Sequence, residues 1–278
     1  MPEPMGFFTD TTVCIGCKAC EVACKQWNDL PADGARAGAK GASYDYTGGL
    51  SASTWRHVHF VEPEPEPADG GLPDLIDMAQ EQGRWSFMSD VCKHCTNAGC
   101  LDACPTGAII RTEFQTVVIQ PDICNGCGYC VPSCPFGVVA RDPYDGRAGK
   151  CTLCYDRMQD GLEPACAKAC PTDSIQFGPW DELVERAQAR VAELHDRGRD
   201  NAYLYGVDEE PDDQLAGNLG SFFLLTKPPE LFGLPAHADS PIQRNAPPAT
   251  AAGLAAAAVA AAGAVLSFAV AHRKAGRS

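Results

Sequence analysis

Apolar and polar residues alternate over residues 55–61 (WRHVHFV), the period-two pattern of a half-buried strand that extends a sheet. Shorter β-rich runs at 116–119, 203–205 and 222–225 are further strand candidates, the first closed by a Pro121-Asp122 turn. After residue 178 the period changes. Pro179, Trp180, Asp181 and Glu182 form a helix start, and Leu183, Ala187, Val191 and Leu194 recur at helical spacing as far as Gly198. That stripe predicts a helix packed by one face on the body of the protein. A proline-rich linker is expected over 227–248. Residues 250–271 carry no charge and would measure about 33 Å as a helix, enough for a hydrocarbon core of about 30 Å. Twelve of those 22 residues are alanine, so a soluble alanine-rich tail is the rival reading. Gly253 and Gly263 suit close packing against partner helices in lipid.

Composition narrows the class. A chain of 278 residues allows one or two domains, and 27 glycines with 22 prolines imply much loop. The net charge of −14 argues against a nucleic-acid partner. The acidic stretches 62–67 and 207–213 read as extended surface loops. Residues 1–13 have neither the basic start nor the apolar run of a secretory leader. His272, Arg273, Lys274 and Arg277 follow the apolar segment, against Arg244 alone just upstream, so the positive-inside rule predicts a cytoplasmic C-terminus. The body is then expected on the outer, periplasmic face of the cell membrane as a single-pass protein, carried across by a partner with a folded-protein export signal. A body on the cytoplasmic face is the alternative.

Chemistry enters with sixteen cysteines in four sets of four: Cys14, Cys17, Cys20, Cys24; Cys92, Cys95, Cys100, Cys104; Cys124, Cys127, Cys130, Cys134; and Cys151, Cys154, Cys166, Cys170. The first and third read C-x2-C-x2-C-x3-C, the second C-x2-C-x4-C-x3-C, the fourth C-x2-C-x11-C-x3-C. Pro105, Pro135 and Pro171 follow three of the four final cysteines. This is the bacterial ferredoxin ligand run, which holds iron–sulfur cubanes through thiolates. Four runs imply four 4Fe–4S clusters. A zinc ribbon needs two cysteine pairs, not a triplet with a fourth cysteine and a proline beyond it. A disulfide scaffold is excluded by the tight C-x2-C repeats. Each iron corner takes one soft thiolate, and Gly16, Gly126 and Gly128 let the loop come close.

In two-cluster ferredoxins the fourth cysteine of a run ligates the other cluster of the pair, so runs must pair. The compact stretch between Cys104 and Cys124 joins the second and third runs. Cys92, Cys95, Cys100 and Cys134 should therefore hold one cluster, and Cys124, Cys127, Cys130 and Cys104 its neighbour. The first and fourth runs then complete each other: Cys14, Cys17, Cys20 with Cys170, and Cys151, Cys154, Cys166 with Cys24. On spacing alone, pairing of run one with two and three with four stays open. The expected fold is α+β, with an outer ferredoxin-like unit from 1–24 and 135–178 nested around an inner one over 92–134. An insertion occupies 25–91, and a helix, short strands and the linker fill 179–249. A transmembrane helix over 250–271 and a basic cytoplasmic tail over 272–278 complete the chain.

Residues 14–28 (CIGCKACEVACKQWN), 94–109 (HCTNAGCLDACPTGAI) and 151–178 (CTLCYDRMQDGLEPACAKACPTDSIQFG) make a resemblance specific. The chain resembles the iron–sulfur β subunit of membrane-bound respiratory formate dehydrogenase over most of 11–225. That resemblance implies four 4Fe–4S clusters in a line and the nested pairing above. It also implies electron transfer from a molybdenum or tungsten pterin catalytic α subunit to a membrane cytochrome b γ subunit and so to quinone. The subunit itself would have no catalytic residues. The sequence agrees: it shows no nucleophile elbow, phosphate loop or dinucleotide fingerprint. The corresponding subunit of another respiratory molybdoenzyme or of a membrane hydrogenase is the alternative, followed by a soluble polyferredoxin. Lys18, Lys25, Lys93, Lys150 and Lys168 stand near ligands, where a positive charge would raise an individual cluster's potential, but they are read first as surface lysines. His57 and His59 are read as surface or packing histidines, and His94 as a loop residue.

Overall fold

The computed structural model describes residues 3–32, 44–45, 47–62, 85–207 and 216–275. Much of the 25–91 insertion, the acidic residues 63–67 and 208–213, and Arg277 lie outside the described residues.

A four-stranded sheet is assembled from distant parts of the chain. The apolar strand β1 (Met5–Asp10) lies between β8 (Ile175–Pro179), antiparallel to it, and β10 (Ser221–Leu225), parallel to it. On the far side β9 (Tyr203–Tyr205) completes the order β8-β1-β10-β9. The expected helix is present as α5 (Trp180–Asp196), with Leu183, Ala187 and Leu194 buried. Its stripe packs on the sheet through Phe8, Phe222 and Leu225, and Trp180 Nε1 donates to the Leu219 carbonyl at 2.8 Å. This cluster is built from ordinary hydrophobic side chains.

The other two buried clusters are not. One gathers Phe7, Val58, Val91, Val138 and Leu153 around Cys20, Cys92, Cys151 and Cys166. The next gathers Ile109, Val117 and Val139 around Cys100 and Cys130. Here elements are short: α1 (Ala19–Trp27), α2 (Gly99–Asp102), α3 (Tyr155–Gln159) and α4 (Ala165–Lys168). Between them run the hairpins β4 (Ile109–Arg111) with β5 (Val117–Ile119) and β6 (Ala140–Arg141) with β7 (Ala148–Gly149). The alternating run at 55–61 is β2 (Arg56–Val61). It does not extend the large sheet but pairs antiparallel with β3 (Ser86–Val91) as a separate ribbon.

The linker and membrane segment require correction. Helix α6 spans Pro241–Ala275, so it begins well before residue 250 and absorbs part of the expected linker. Ser240 caps it, with its hydroxyl accepting from the Gln243 amide at 3.4 Å, and Pro241 takes the first helical position. Phe232, Leu234 and Ala238, also placed in the linker, are buried in the sheet-side core. Pro247 and Pro248 lie inside the helix, where each removes one backbone donor. Gln243 Nε2 donates to Asp102 at 2.9 Å, tying the first turns of α6 to α2. Beyond that the helix is exposed on every face, with Leu254, Val259, Leu266 and Phe268 all about 70% accessible. By length and composition it is suited to cross a membrane.

Candidate metal centres

All sixteen cysteines are free thiols, and the fold gathers them into groups. Cys14, Cys17, Cys20 and Cys170 line one cavity of about 300 Å³. Cys104, Cys124, Cys127 and Cys130 line a second of about 300 Å³. Cys92, Cys95, Cys100 and Cys134 line a third of about 330 Å³. Cys24, Cys151, Cys154 and Cys166 form the remaining group, each close enough to the others for charge interaction.

Strand pairing and helix contact explain why a distant cysteine joins three of the four triplets. Antiparallel pairing sets Thr9 of β1 opposite Ile175 of β8, so the loop leaving β1 at Cys14 meets the segment entering β8 at Cys170. Ile109 pairs with Ile119 in the same way, bringing Cys104 beside Cys124. Contact between α1 and α4 brings Cys20 and Cys24 to Cys166.

The groups also stand in file. Cys20 interacts with Cys166, Cys151 with Cys92, and Cys100 with Cys130. The order is therefore Cys14 group, Cys151 group, Cys92 group, Cys124 group. Cys17 and Cys127, one in each end group, are exposed, whereas every cysteine of the Cys151 group is buried.

Two residues after each leading cysteine the backbone turns left-handed: Gly16 at φ 67°, His94 at 46°, Gly126 at 72° and Leu153 at 59°. Alternation of right- and left-handed residues aims successive amides into one concavity, a nest for an anion. Sequence reasoning saw only the glycines; His94 and Leu153 carry the same turn at a cost of about 1–2 kcal/mol each. At Gly126 a Cβ would stand 2.6 Å from the Gly146 carbonyl oxygen, a backbone atom that cannot rotate aside. Gly126→Ala is therefore expected to lose the cluster of the Cys124 group, lowering bound iron by about a quarter of a four-cluster load. Iron and sulfide analysis of the purified variant checks this, and full loading would sink it.

Hydrogen-bond donors reach sulfur in several groups. The Ala148 amide donates to Cys124 Sγ at 3.4 Å and the Leu153 amide to Cys151 Sγ at 3.2 Å. Asn28 Nδ2 lies 3.7 Å from Cys24 Sγ. Thr106 and Thr172, each two residues past a cysteine that precedes proline, hold hydroxyls 3.6 Å and 3.8 Å from Cys104 and Cys170. The repeated Cys-Pro-Thr is the sequence signal for these two donors.

Burial pushes the thiols of Cys20, Cys24 and Cys100 up to about 12, and those of Cys130 and Cys154 to about 11. Making them ligands requires proton release, so the sites need compensating positive charge. The protein supplies it. Lys93 and Lys150, read first as surface lysines, are 1% and 2% exposed. Lys18 and Lys25 are half-buried, and only Lys168 is exposed as expected. Lys93 is ion-paired with Asp90, whose carboxyl, though burial pushes it up, is held well below the usual range by Lys93 and His59. Arg56, which sequence reasoning did not single out, is 1% exposed, and its Nε and Nη2 have no hydrogen-bond partner among the described residues. Burial opposes its charge, but the sulfurs of Cys166, Cys20, Cys151 and Cys24 raise its pKa further. A buried cation with idle donors inside a ring of thiols fits an anionic iron–sulfur cluster.

The histidines are packing residues. His57 is buried, stacks edge-on against His59 at 4.8 Å, and is lowered to about 4 by burial and by His59. His94 is more than a loop residue: its buried ring accepts from the Val117 amide at 3.0 Å and fixes the ligand loop on β5. Glu21 Oε1 accepts from the Val58 amide at 2.6 Å, joining α1 to β2.

Two family models, each described as a 4Fe-4S dicluster domain, match residues 13–108 and 83–180. Similar proteins include the formate dehydrogenase-O iron-sulfur subunit of Escherichia coli, 43% identical over 73% of this chain and 62% of that protein. The formate dehydrogenase iron-sulfur subunit of Haemophilus influenzae is 44% identical over 70% of this chain and 58% of its own length. The chain thus spans less than two thirds of these two relatives. The B subunit of the anaerobic dimethyl sulfoxide reductase of Escherichia coli is 33% identical over 67% of this chain and 78% of its own length. The protein therefore belongs to this family of 4Fe-4S dicluster iron–sulfur subunits, which includes those of formate dehydrogenase.

Proposed function

We propose that this protein is the electron-transfer subunit of a membrane-bound formate dehydrogenase and carries four 4Fe–4S clusters in a line. The ligand sets are Cys14, Cys17, Cys20 with Cys170; Cys151, Cys154, Cys166 with Cys24; Cys92, Cys95, Cys100 with Cys134; and Cys124, Cys127, Cys130 with Cys104. The outer unit is 1–24 with 135–178, and the inner unit is 92–134.

One observation carries this reading: the single file of cysteine groups, with an exposed cysteine in each end group and none in the two interior groups. A redox storage site would need no second opening, whereas a relay between two partners needs one at each end. Electrons enter from a molybdenum or tungsten pterin subunit and leave to a membrane cytochrome b. Helix α6 leaves the body beside Gly99 and Asp102, in the half of the file that holds the Cys92 and Cys124 groups, so the Cys124 end is proposed as the membrane-proximal one. The body then lies on the outer face, with the C-terminus of α6 in the cytoplasm.

Clusters supply the redox chemistry when bound. The protein's own residues hold them at fixed separation, shield the interior pair from water, and tune potentials by charge and hydrogen bonds to sulfur. A dimethyl sulfoxide reductase partner is the second reading, favoured by the similarity to the B subunit of that enzyme. Purification of the intact complex distinguishes them. The expected result is four clusters by iron and sulfide analysis together with formate-linked dye reduction. Zinc without sulfide would end the cluster reading, and a complex reducing dimethyl sulfoxide but not oxidising formate would end the formate one.

A further inference from the structure

Two buried cations stand at two of the three joins in this file of cysteines. Arg56 lies over the Phe7 ring, its guanidinium carbon 4.8 Å from the centroid. Its Nη1 donates to the Ser89 carbonyl at 3.3 Å and to Ser89 Oγ at 3.2 Å. Ser89 Oγ is in turn 3.1 Å from Cys20 Sγ. Arginine has no acceptor, so the hydroxyl accepts from Arg56, and its own proton is free to reach the sulfur once Cys20 is a cluster-bound thiolate. The interacting cysteines of Arg56 come from two groups, Cys20 on one side and Cys24, Cys151 and Cys166 on the other.

Lys150 repeats this arrangement one join further along. Its Nζ donates to the Val117 carbonyl and, at 3.0 Å, to the Cys151 carbonyl. Val117 lines the cavity of the Cys92 group, so these two bonds hold the ammonium between that group and Cys151. The cysteines it interacts with are Cys92 and Cys100 of one group and Cys151 of the next. Among the described residues no carboxylate is ion-paired with Arg56 or Lys150, whereas buried Lys93 has Asp90. Carboxylate pairing would cancel the field of such a cation. Left unpaired, its charge acts on whatever anion lies beside it.

We propose that Arg56 and Lys150 are bridging cations, each holding up the reduction potentials of the two clusters it lies between. Arg56 serves the Cys14 and Cys151 clusters, and Lys150 the Cys151 and Cys92 clusters. The Cys151 cluster, deepest in the file, is served by both and is kept reducible although water does not reach it. Reduction adds one negative charge to a cluster, and a fixed positive charge nearby stabilises that product. These are positioning residues and bind no substrate. The inference rests on the four-cluster reading above.

The test is potentiometric titration of the intact complex followed by electron paramagnetic resonance, comparing Arg56→Lys with Arg56→Met and Lys150→Arg with Lys150→Met. Each methionine variant keeps an unbranched side chain and deletes the charge. For Arg56→Met, the oxidised-to-reduced ratio of two of the four waves should rise about tenfold at fixed potential, or 59 mV for a one-electron couple. Lys150→Met should move two waves likewise, one of them shared with the Arg56 variant, with the remaining end wave moving least. Variants that retain the charge should stay near the wild type. If lysine and methionine at position 56 give the same potentials, or the same cluster loss, the role is packing alone and the proposal is overturned. The same holds for arginine and methionine at position 150. A wild-type complex without four clusters would instead sink the underlying functional reading, so the two failures are distinguishable.

Discussion

Cys170→Ser is expected to destroy the cluster of the first run, held by Cys14, Cys17 and Cys20, and to leave that of its own run intact. The substitution puts a harder oxygen ligand where the cubane wants a soft thiolate. Its effect reaches across the sequence because β1 and β8 pair antiparallel with Thr9 opposite Ile175. Cys170 therefore lines the same cavity as Cys14, Cys17 and Cys20. Its neighbour in sequence, Cys166, belongs with Cys24, Cys151 and Cys154. Iron content should fall by about a quarter, with one resonance signal lost and the formate-to-quinone rate abolished, because the missing cluster ends the file. Cys24→Ser should do the reverse, removing the cluster of the fourth run. Loss of the fourth run's cluster alone in Cys170→Ser would refute the crossed pairing.

Stripping the iron is expected to unfold the cysteine-built part of the protein while the sheet and α5 keep their protection. Two of the three buried clusters are organised around cysteines, and apart from α1 and the strands β1, β2, β3 and β8 that border one of them, their elements are helices of four or five residues and strands of two or three. Such elements are too short to stand alone. Metal ligation holds them, and where a site does not exist in the unfolded chain its binding free energy is folding free energy. For structural zinc in small peptides that is on the order of 10–16 kcal/mol, comparable to the whole stability of a domain at about 5–15 kcal/mol. The sheet-side cluster is different. Phe8, Leu183, Leu194, Phe222, Phe223 and Leu225 are each 1% exposed or less and meet without needing iron. Hydrogen-exchange mass spectrometry on the full-length protein before and after chelation measures this directly. Exchange at 99–104 and 124–134 should become fast, while that of β1, β10 and α5 stays slow. An iron-free protein that protects both regions equally would contradict it.

How legible the molecule was depended on the range of each interaction. The stripe Leu183, Ala187, Val191, Leu194 announces α5 because a helix brings those positions to one side by local geometry alone. The start of α6 is obscured because Pro247 and Pro248 outweigh Ser240-Pro241, a cap followed by a first-turn proline. Arg56 escapes notice for another reason. In the alternating WRHVHFV it shares a face with Val58 and Phe60, which is the available clue: a cation on the apolar face of a strand. Nothing local says that this face closes over Phe7 and Cys20. Lys93 and Lys150 adjoin leading cysteines, but adjacency gives no sign of burial.

The sequence by itself determined the kind of chemistry. Three thiolates around one cubane must come from a tight loop, so their spacing is written in consecutive residues, as are the glycines that let the loop close. The tertiary structure decided which distant cysteine joins each triplet, the order of the four groups, which groups reach the surface, and which cations are buried between them. Those outcomes depend on strand register and on the packing of β2 and β3 over β1 and α1. Register contacts such as those of β1 with β8 join residues about 170 positions apart, for which loop closure leaves no local signature.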